Sequence, residues 1–433
     1  MTAHAGAADA PPTCALPGSP LAAARPGIDA CVHCGFCLQA CPTYLALEDE
    51  NDSPRGRILL MRTLLEGTLS PDDEAVHTHI SRCLGCRACE TVCPSGVPYG
   101  HLLEATRETL VARRPLPFVA RVILATFERP SVLKLMMAGS RILRTLGLAR
   151  LLARLPGRFG FSMAMLASTR RPVPAHDYRV TRSGDRGRVA VLNGCVMEGL
   201  FADTNRATER TLAVNGYACV DAPGQGCCGA LHVHAGDADA ARRLARANVA
   251  AFERSGADLI AVNAAGCGAM MKEYAGLLAN DPVWAERARG VSARVRDVTE
   301  LLAAAGPKPG APLMARVAYD APCHLLHAQR ISGPPLAVLR AVPGLELVPL
   351  VNSDQCCGAA GIYNLIEPET SNAVLEPKLR FIAETNAELV ATGNPGCLMQ
   401  IGAGLLRSGS TVRAVHPVDL LDASYAGERL GTA

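Results

Sequence analysis

Residues 31–44 read CVHCGFCLQACPTY and hold four cysteines, the last of which precedes a proline. The stretch CLGCRACETVCPSG at residues 83–96 repeats the same spacing, C-x2-C-x2-C-x3-C-P. Thiolates at intervals of three can wrap a short loop around one inorganic cluster, and the fourth cysteine begins a segment that leads away. The two stretches therefore predict a pair of metal centres.

The spacing is that of bacterial ferredoxins, in which the fourth cysteine of each run ligates the other cluster. The predicted ligands are Cys31, Cys34, Cys37 and Cys93 for one [4Fe-4S] cluster, and Cys83, Cys86, Cys89 and Cys41 for the other. Zinc bound by two C-x2-C pairs is the alternative. A zinc site has no use for a proline after the fourth cysteine, so iron-sulfur clusters are favoured.

The composition of the 433-residue chain favours metal ligation over disulfides. There are 18 cysteines, yet the N-terminus lacks the basic start and apolar core of an export signal. We therefore expect a cytoplasmic protein with reduced thiols. The net charge of +3 is too small to indicate nucleic acid as a partner. No apolar run of about 18 residues predicts a membrane span, and the Ala/Pro-rich residues 1–27 are expected to be disordered.

Residues 101–175 contain no cysteine and show apolar residues at helical spacing. From His101 to Pro172 there are 13 Lys+Arg against 3 Asp+Glu. We expect a basic helical connector whose apolar stripe packs on the next domain. The alternative is peripheral contact with the anionic surface of the inner membrane.

Residues 188–303 and 315–422 are an internal repeat. Each unit alternates β-rich runs with helical patterns, which predicts a parallel sheet covered by helices. Four cysteines recur in each unit where strands end, and ligands bind at that edge of such sheets. The candidate sites for further clusters are Cys195, Cys227, Cys228 and Cys267 in the first unit, and Cys323, Cys356, Cys357 and Cys397 in the second.

Other interpretations of these segments are weaker. GQGCCG at residues 224–229 matches a dinucleotide-binding pattern, but the second unit has SDQCCG instead, so the repeat keeps the cysteine pair and not the glycines. Buried packing cysteines remain an alternative. His232, His234, His324 and His327 lie near the cysteines and are expected to be ordinary histidines, as Cys14 and Cys219 are expected to be ordinary thiols.

Two ferredoxin motifs followed by two Cys-Cys-Gly units resemble the iron-sulfur subunit of glycolate oxidase, from about Cys31 to the C-terminus. CVHCGFCLQACPTY, CLGCRACETVCPSGVPYG and GCGAMMKEY carry the resemblance. It implies an α+β multidomain fold: an α-helical di-cluster ferredoxin domain (28–100), the basic connector and two α/β Cys-Cys-Gly units. The similar units of heterodisulfide reductases have one further cysteine each, where this chain has Met270 and Gln400.

The resemblance implies an electron-transfer subunit that is not catalytic alone. A partner subunit containing FAD would oxidise glycolate to glyoxylate, and this chain would pass the electrons singly toward a quinone-type acceptor. The alternatives are the iron-sulfur subunit of a glycerol-3-phosphate or lactate dehydrogenase complex, and a heterodisulfide-reductase-like subunit. Two [4Fe-4S] clusters are expected, with one or two more in the Cys-Cys-Gly units.

Overall fold

Short helices connect the two cysteine-rich loops of the N-terminal part. The computed structural model describes residues 14–169 and 184–427. Helix α4 begins after Ser53, whose side chain accepts a hydrogen bond from Gly56 N, and it ends at Gly67 in the left-handed region. A 3₁₀ turn spans Glu50–Asp52. The helices here are α1 (Pro20–Ala23), α2 (Arg25–Asp29), α3 (Pro42–Leu47), α4 (Pro54–Glu66), α5 (Glu74–Ser81), α6 (Ala88–Thr91) and α7 (Tyr99–Val111).

The N-terminal segment is more ordered than its composition suggested. Residues 1–13 of the expected disordered stretch lie outside the described residues. Residues 14–27 instead contain α1 and part of α2, and Leu21 is fully buried. The backbone N–H of Leu21 donates to Thr109 Oγ1 on α7 at 3.1 Å. The expectation of disorder was therefore wrong for residues 14–27, because burial of a few apolar side chains outweighs the Ala/Pro-rich composition.

Four helices follow and link the N-terminal part to the repeat: α8 (Phe118–Glu128), α9 (Pro130–Thr145), α10 (Leu148–Leu152) and α11 (Gly157–Ser168). Leu133 and Met137 of α9 pack against Leu200, and α11 contacts the repeat further along the chain. Many other apolar side chains of these helices face solvent, so the expected packing is only partial. No helix among the described residues has the length and apolar character needed to cross a membrane. Residues 170–175 of the expected connector lie outside the described residues.

Each unit of the repeat forms a four-stranded parallel sheet with helices between the strands. The first unit consists of β1 (Arg188–Val191), α12 (Val196–Leu200), α13 (Ala202–Val214), β2 (Ala218–Val220), α14 (Ala230–Ala235), α15 (Ala238–Arg254), β3 (Leu259–Val262), α16 (Ala265–Lys272), α17 (Tyr274–Leu277), α18 (Ala285–Ser292), β4 (Val295–Asp297) and α19 (Val298–Ala305).

The second unit repeats the order with fewer helices. It consists of β5 (Ala315–Tyr319), a π-helical turn (His324–Ala328), α20 (Gly333–Arg340), β6 (Leu345–Val348), α21 (Tyr363–Ile366), α22 (Pro368–Glu384), β7 (Leu389–Ala391), α23 (Pro395–Arg407), β8 (Arg413–Val415) and α24 (Pro417–Ala426).

The two sheets have the same topology. The strand orders are β2-β1-β3-β4 and β6-β5-β7-β8, and every pairing is parallel. In each sheet the second strand along the chain pairs with one side of the first strand, and the third strand pairs with its other side. The loops that follow these three strands therefore meet at one edge of the sheet. The predicted α+β multidomain fold, with helices first and two α/β units after, is confirmed.

The two units share one hydrophobic core. Val189 of β1, Val317 of β5 and Leu421 of α24 belong to the same cluster of buried side chains. Helix α13 of the first unit contacts α24 of the second, and α20 of the second contacts α19 of the first. This reciprocal packing relates the units by an approximate twofold arrangement and joins both sheets into one body.

Candidate metal centres

The structure places the first set of cysteines around one cleft. Cys31, Cys34, Cys37 and Cys93 all line it, together with Cys89 of the other predicted set. Burial raises the pKa of Cys37 to about 11. Cys34 is exposed, and the neighbouring loop side chains Val32 and Phe36 are 68% and 69% exposed. The first set therefore lies at the surface of the molecule.

The second set is buried and contains the cysteine predicted to cross over. The thiols of Cys83, Cys86 and Cys41 all lie within electrostatic range of Cys89. Burial, and then these neighbours, raises the pKa of Cys89 well above its usual value. Cys41 is the N-cap of α3 and Pro42 occupies the first turn, where a proline is well tolerated. Cys93-Pro94 instead leads into a turn, and the next helix starts only at Tyr99.

A buried arginine supplies positive charge beside the second set. Arg57 is fully buried, and its guanidinium donates to Asp52 Oδ1 at 3.0 Å and to Thr43 Oγ1 at 3.1 Å. Burial opposes the charge, but the thiols of Cys83 and Cys41 lie close enough to raise the pKa of Arg57. Arg57 therefore points into the protein and not toward solvent. The guanidinium thus places a buried positive charge beside these two thiols.

The four cysteines of the first repeat unit are in mutual contact. Cys195 is the N-cap of α12 after β1, Cys227 and Cys228 lie in the loop after β2, and Cys267 lies in the first turn of α16 after β3. The Sγ atoms of Cys228 and Cys267 are 3.2 Å apart. Hydrogen bonds from Cys195 and Cys228 lower the pKa of Cys227 well below its usual value.

The second unit repeats this arrangement. Cys323 follows β5, Cys356 and Cys357 follow β6, and Cys397 lies in the first turn of α23 after β7. Interactions run from Cys323 to Cys356, from Cys356 to Cys357 and from Cys357 to Cys397. Asn394 Nδ2 donates to Cys397 Sγ at 3.5 Å. All eighteen cysteines fall within the described residues and are free thiols, so each set of four is a donor set suited to a soft metal centre.

A glycine fixes the turn after each cysteine pair. Gly229 and Gly358 have φ angles of 90° and 85°, in the left-handed region that favours glycine. A Cβ atom on Gly358 would lie 2.5 Å from the backbone oxygen of Ser371. The backbone N–H of Gly358 donates to Cys356 Sγ at 3.4 Å. The repeat therefore keeps Cys-Cys-Gly because the third residue must have no side chain.

The polar residues beneath the two cysteine groups differ between the units. Asn248 holds the first loop, with Nδ2 donating to Cys227 O at 2.8 Å and Oδ1 accepting from Gly226 N at 2.9 Å. In the second unit Lys378 donates to Asp320 Oδ1 at 2.6 Å, and both side chains are buried. No sequence pattern identified these residues. Asn248 and Lys378 are distant in sequence from the cysteine pairs that they support, and Asp320, although it lies three residues before Cys323, meets Lys378 only in the folded sheet.

The second ferredoxin set touches the cysteine group of the second unit. Cys86 and Cys356 belong to one buried cluster, with Cys323 packed against it. The Tyr363 hydroxyl donates to the backbone oxygen of Arg82 at 2.9 Å across the same contact. The eight cysteines belong to separate predicted domains, and no sequence pattern indicates that the two sets meet.

Two of the four histidines near the cysteines contact them. His324 Nδ1 lies 3.6 Å from Cys323 Sγ, and burial lowers the pKa of His324 to about 3. His232 hydrogen bonds to Cys227 and also contacts the backbone oxygen of Leu124 at 3.2 Å. The others contact other groups: His327 lies 3.3 Å from Thr91 Oγ1 of the N-terminal part, and His234 lies against Glu104.

Comparisons with known proteins match the parts described above. A family model described as "4Fe-4S dicluster domain" matches residues 27–97, and one described as "Cysteine-rich domain" matches residues 189–272 and 317–402. A "Probable glycolate oxidase iron-sulfur subunit" of Bacillus subtilis (strain 168) is 37% identical over 418 residues, covering 90% of this chain and 92% of that protein.

Two further relatives differ in how much of the chain they match. A "Glycolate oxidase iron-sulfur subunit" of Escherichia coli (strain K12) is 36% identical over 386 residues, which is 85% of this chain and 88% of that protein. A "Lactate utilization protein A" of Geobacillus kaustophilus (strain HTA426) is 30% identical over 239 residues, which is 54% of this chain and 99% of that protein.

Proposed function

This chain belongs to the family of the glycolate oxidase iron-sulfur subunits, and we propose that it carries electrons one at a time from a flavoprotein that oxidises glycolate to glyoxylate. The acceptor beyond this chain is of the quinone type. FAD is held by partner subunits, since hydride removal from a 2-hydroxy acid is flavin chemistry. This chain does not oxidise glycolate by itself, and it works in the reducing cytoplasm.

The residues that hold the clusters are the four sets of cysteines. Cys31, Cys34, Cys37 and Cys93 hold the first cluster, and Cys83, Cys86, Cys89 and Cys41 hold the second. The four thiols of each Cys-Cys-Gly unit hold a third and a fourth cluster. A [4Fe-4S] cluster accepts and gives up one electron at a time when bound. The protein excludes water from most of these thiols and leaves Cys34 exposed.

The contact between Cys86 and Cys356 is the observation that carries the proposal. Electron transfer between separate centres requires that they lie close together, and here two donor sets share one buried cluster of side chains. Electrons from the flavoprotein enter at the exposed loop that contains Val32 and Phe36, because this loop belongs to the set of cysteines that lies at the surface. The route then runs from the first set to the second and on to the second repeat unit.

Iron and acid-labile sulfide per chain, measured on protein purified without oxygen, test the proposal. About sixteen irons are expected if all four sets are occupied. The variants Cys357→Ser and Cys228→Ser are each expected to lose about four of them, with a matching loss of EPR signal from the reduced protein. Cys14→Ser and Cys219→Ser serve as controls outside the four sets and keep the full content. About eight irons in the native chain would show that the repeat is a scaffold without clusters.

Reconstitution with the flavoprotein tests the direction of transfer and the donor. Glycolate should reduce the flavin in both native and Cys34→Ser complexes, whereas only the native complex should reduce an artificial quinone. Normal quinone reduction by Cys34→Ser would contradict the route. Turnover with lactate and not with glycolate would assign the chain to a lactate-oxidising complex, which the similarity to Lactate utilization protein A makes the second candidate.

A further inference from the structure

The connector helices expose an unusual amount of apolar surface. Among the described residues, twenty large apolar side chains are exposed, and twelve of them lie between residues 118 and 159. Isolated exposed apolar residues are normal on a protein surface, but a contiguous group marks a contact surface. Seven members are more than half exposed, at 54% to 77%: Phe118, Val119, Leu135, Ile142, Leu146, Leu151 and Phe159.

The exposed residues of α9 form a stripe on its outer face. Leu135 and Ile142 are seven residues apart, which is two helical turns, so they lie on the same side. Leu133 and Met137 each lie two residues from Leu135, which is about 200° around the helix, and both are buried. Helix α9 therefore has one apolar face against the protein and a second apolar face toward solvent.

The neighbouring helices continue this surface. Leu148 and Leu151 of α10 are exposed while Ala149 is buried, and Val122 of α8 is exposed while Leu124 is buried. Helix α9 contacts both α8 and α10. The outer apolar faces thus belong to consecutive helices that pack side by side.

Positive charge surrounds this surface. The exposed basic residues of the segment are Arg121, Arg129, Lys134, Arg141, Arg150, Arg154 and Arg158. Its one acidic residue is Glu128, which is paired with Arg243 at 2.7 Å. Arginine and lysine stems can lie along acyl chains while their charged ends reach phosphate groups. Apolar helices with cations and few acids fit an anionic bilayer surface better than a protein surface of mixed charge.

We propose that α8, α9 and α10 bind this chain to the surface of an anionic lipid bilayer, with the helices lying in the plane of the interface. The longest of them, α9, has 16 residues, which is too short to span a bilayer. The inference does not depend on which substrate feeds the chain. Its effect is to hold the repeat, which α9 and α11 contact, next to the lipid.

Flotation of the full-length protein with vesicles tests the proposal. Vesicles of phosphatidylcholine with 30% phosphatidylglycerol, at low salt, are expected to carry the native chain about tenfold more strongly than pure phosphatidylcholine vesicles, roughly as expected for a few contributing cations. Leu135→Glu/Ile142→Glu should weaken binding to the anionic vesicles by about tenfold or more, because two apolar side chains no longer enter the interface. Arg141→Glu should weaken it by about fivefold and reduce its salt dependence.

Val283→Glu/Met314→Glu is the matched control. These side chains are 64% and 75% exposed but lie outside the connector, so the control should bind vesicles as the native chain does. Because all four positions are exposed, iron content and circular dichroism should be unchanged in both double variants. Native protein that stays unbound, or Leu135→Glu/Ile142→Glu that binds undiminished, would overturn the proposal. A dimer of the native chain that Leu135→Glu/Ile142→Glu abolishes would identify a second copy as the occupant and overturn it equally.

Discussion

Lys378 and Asp320 form a buried ion pair below the cysteines of the second unit. Their side chains are 3% and 2% exposed. Lys378 Nζ also donates to the backbone oxygens of Asn352 and Ser353 at 3.1 and 3.3 Å, and Thr392 donates to the second oxygen of Asp320 at 3.0 Å. The pair is therefore fully hydrogen bonded, which is the condition under which a buried charge is stable.

Lys378→Met should destabilise the protein strongly. The substitution leaves the carboxylate of Asp320 buried without its cation, which costs about 3–5 kcal/mol in comparable cases. Thermal unfolding of the anaerobic protein measures the loss.

Two companion variants separate charge from packing. Lys378→Met/Asp320→Leu should recover most of the stability, because the unpaired charge is gone. Lys272→Met, which breaks the half-exposed pair with Glu300, should leave the melting temperature nearly unchanged. A double variant no more stable than Lys378→Met would show that the lysine acts through packing instead.

At this scale the sequence indicates candidate ligands more readily than the residues that hold them in place. Cys31, Cys34 and Cys37 stand out as candidates because their spacing within one loop is local. Lys378 lies 58 residues from Asp320, and only the folded sheet brings them together. The sequence pattern of α4 does not show that α5 and the Cys83 loop cover Arg57.

Among the elements, the Cys-Cys-Gly turns are the most constrained part of the repeat. Gly358 combines a left-handed φ angle with close approach of the Ser371 carbonyl, which itself lies on α22. A side chain here would push the loop that carries Cys356 and Cys357 away from α22. The turn thus links the helix to the position of two thiols.

Gly358→Ala should therefore lower both stability and metal content. The left-handed conformation alone costs an alanine about 1 kcal/mol. Gly409→Ala is a matched control, because Gly409 has a φ angle of 72° and nothing within 4 Å of a Cβ atom. We expect a clearly larger drop in melting temperature for Gly358→Ala, with loss of iron that the control does not show. Equal effects in both variants would mean that only backbone strain matters.

The elements themselves could be largely predicted from their periodicity. Alternating β-rich and helical runs gave the parallel sheets, because buried parallel strands read as short apolar runs such as RVAV and LIAV. The packing of the connector helices was harder to predict. Its helices were predicted, but the pattern of α9 has two apolar faces, and sequence alone does not say which one is covered.

For the whole molecule, the shared core makes the two repeat units depend on each other. Leu421 of α24 is fully buried in a cluster that also contains Val189 and Val191 of β1. Arg210 of α13 binds Asp422 of α24 through two hydrogen bonds, at 2.9 and 2.6 Å. A substitution that destabilises one unit should therefore also destabilise the other.

Leu421→Ala tests this dependence. The cavity should cost about 2–5 kcal/mol. Hydrogen exchange of the full-length protein should speed up in β1 of the first unit about as much as in β5 of the second, because both strands line the same core. Faster exchange confined to the second unit would show two independent units.

The overall assembly was the part that the sequence could not supply. The four recurring cysteines show that the chain contains a duplication, but they do not show that α13 packs on α24 while α20 packs on α19. They also do not show that the cysteines of the second unit lie against the second ferredoxin set. That contact depends on the surface around Cys86 and Tyr363, which is assembled only after folding.

The reciprocal packing of α13 on α24 and of α19 on α20 also limits how the gene can change. Recombination between the two repeat copies that deleted one copy would leave helices of the remaining copy without the helices that cover them. A breakpoint within the connector would keep both copies and both contacts. The two repeat copies should therefore be kept or lost together. Substitutions in the packed helices of one copy are restricted by the helices of the other copy that contact them.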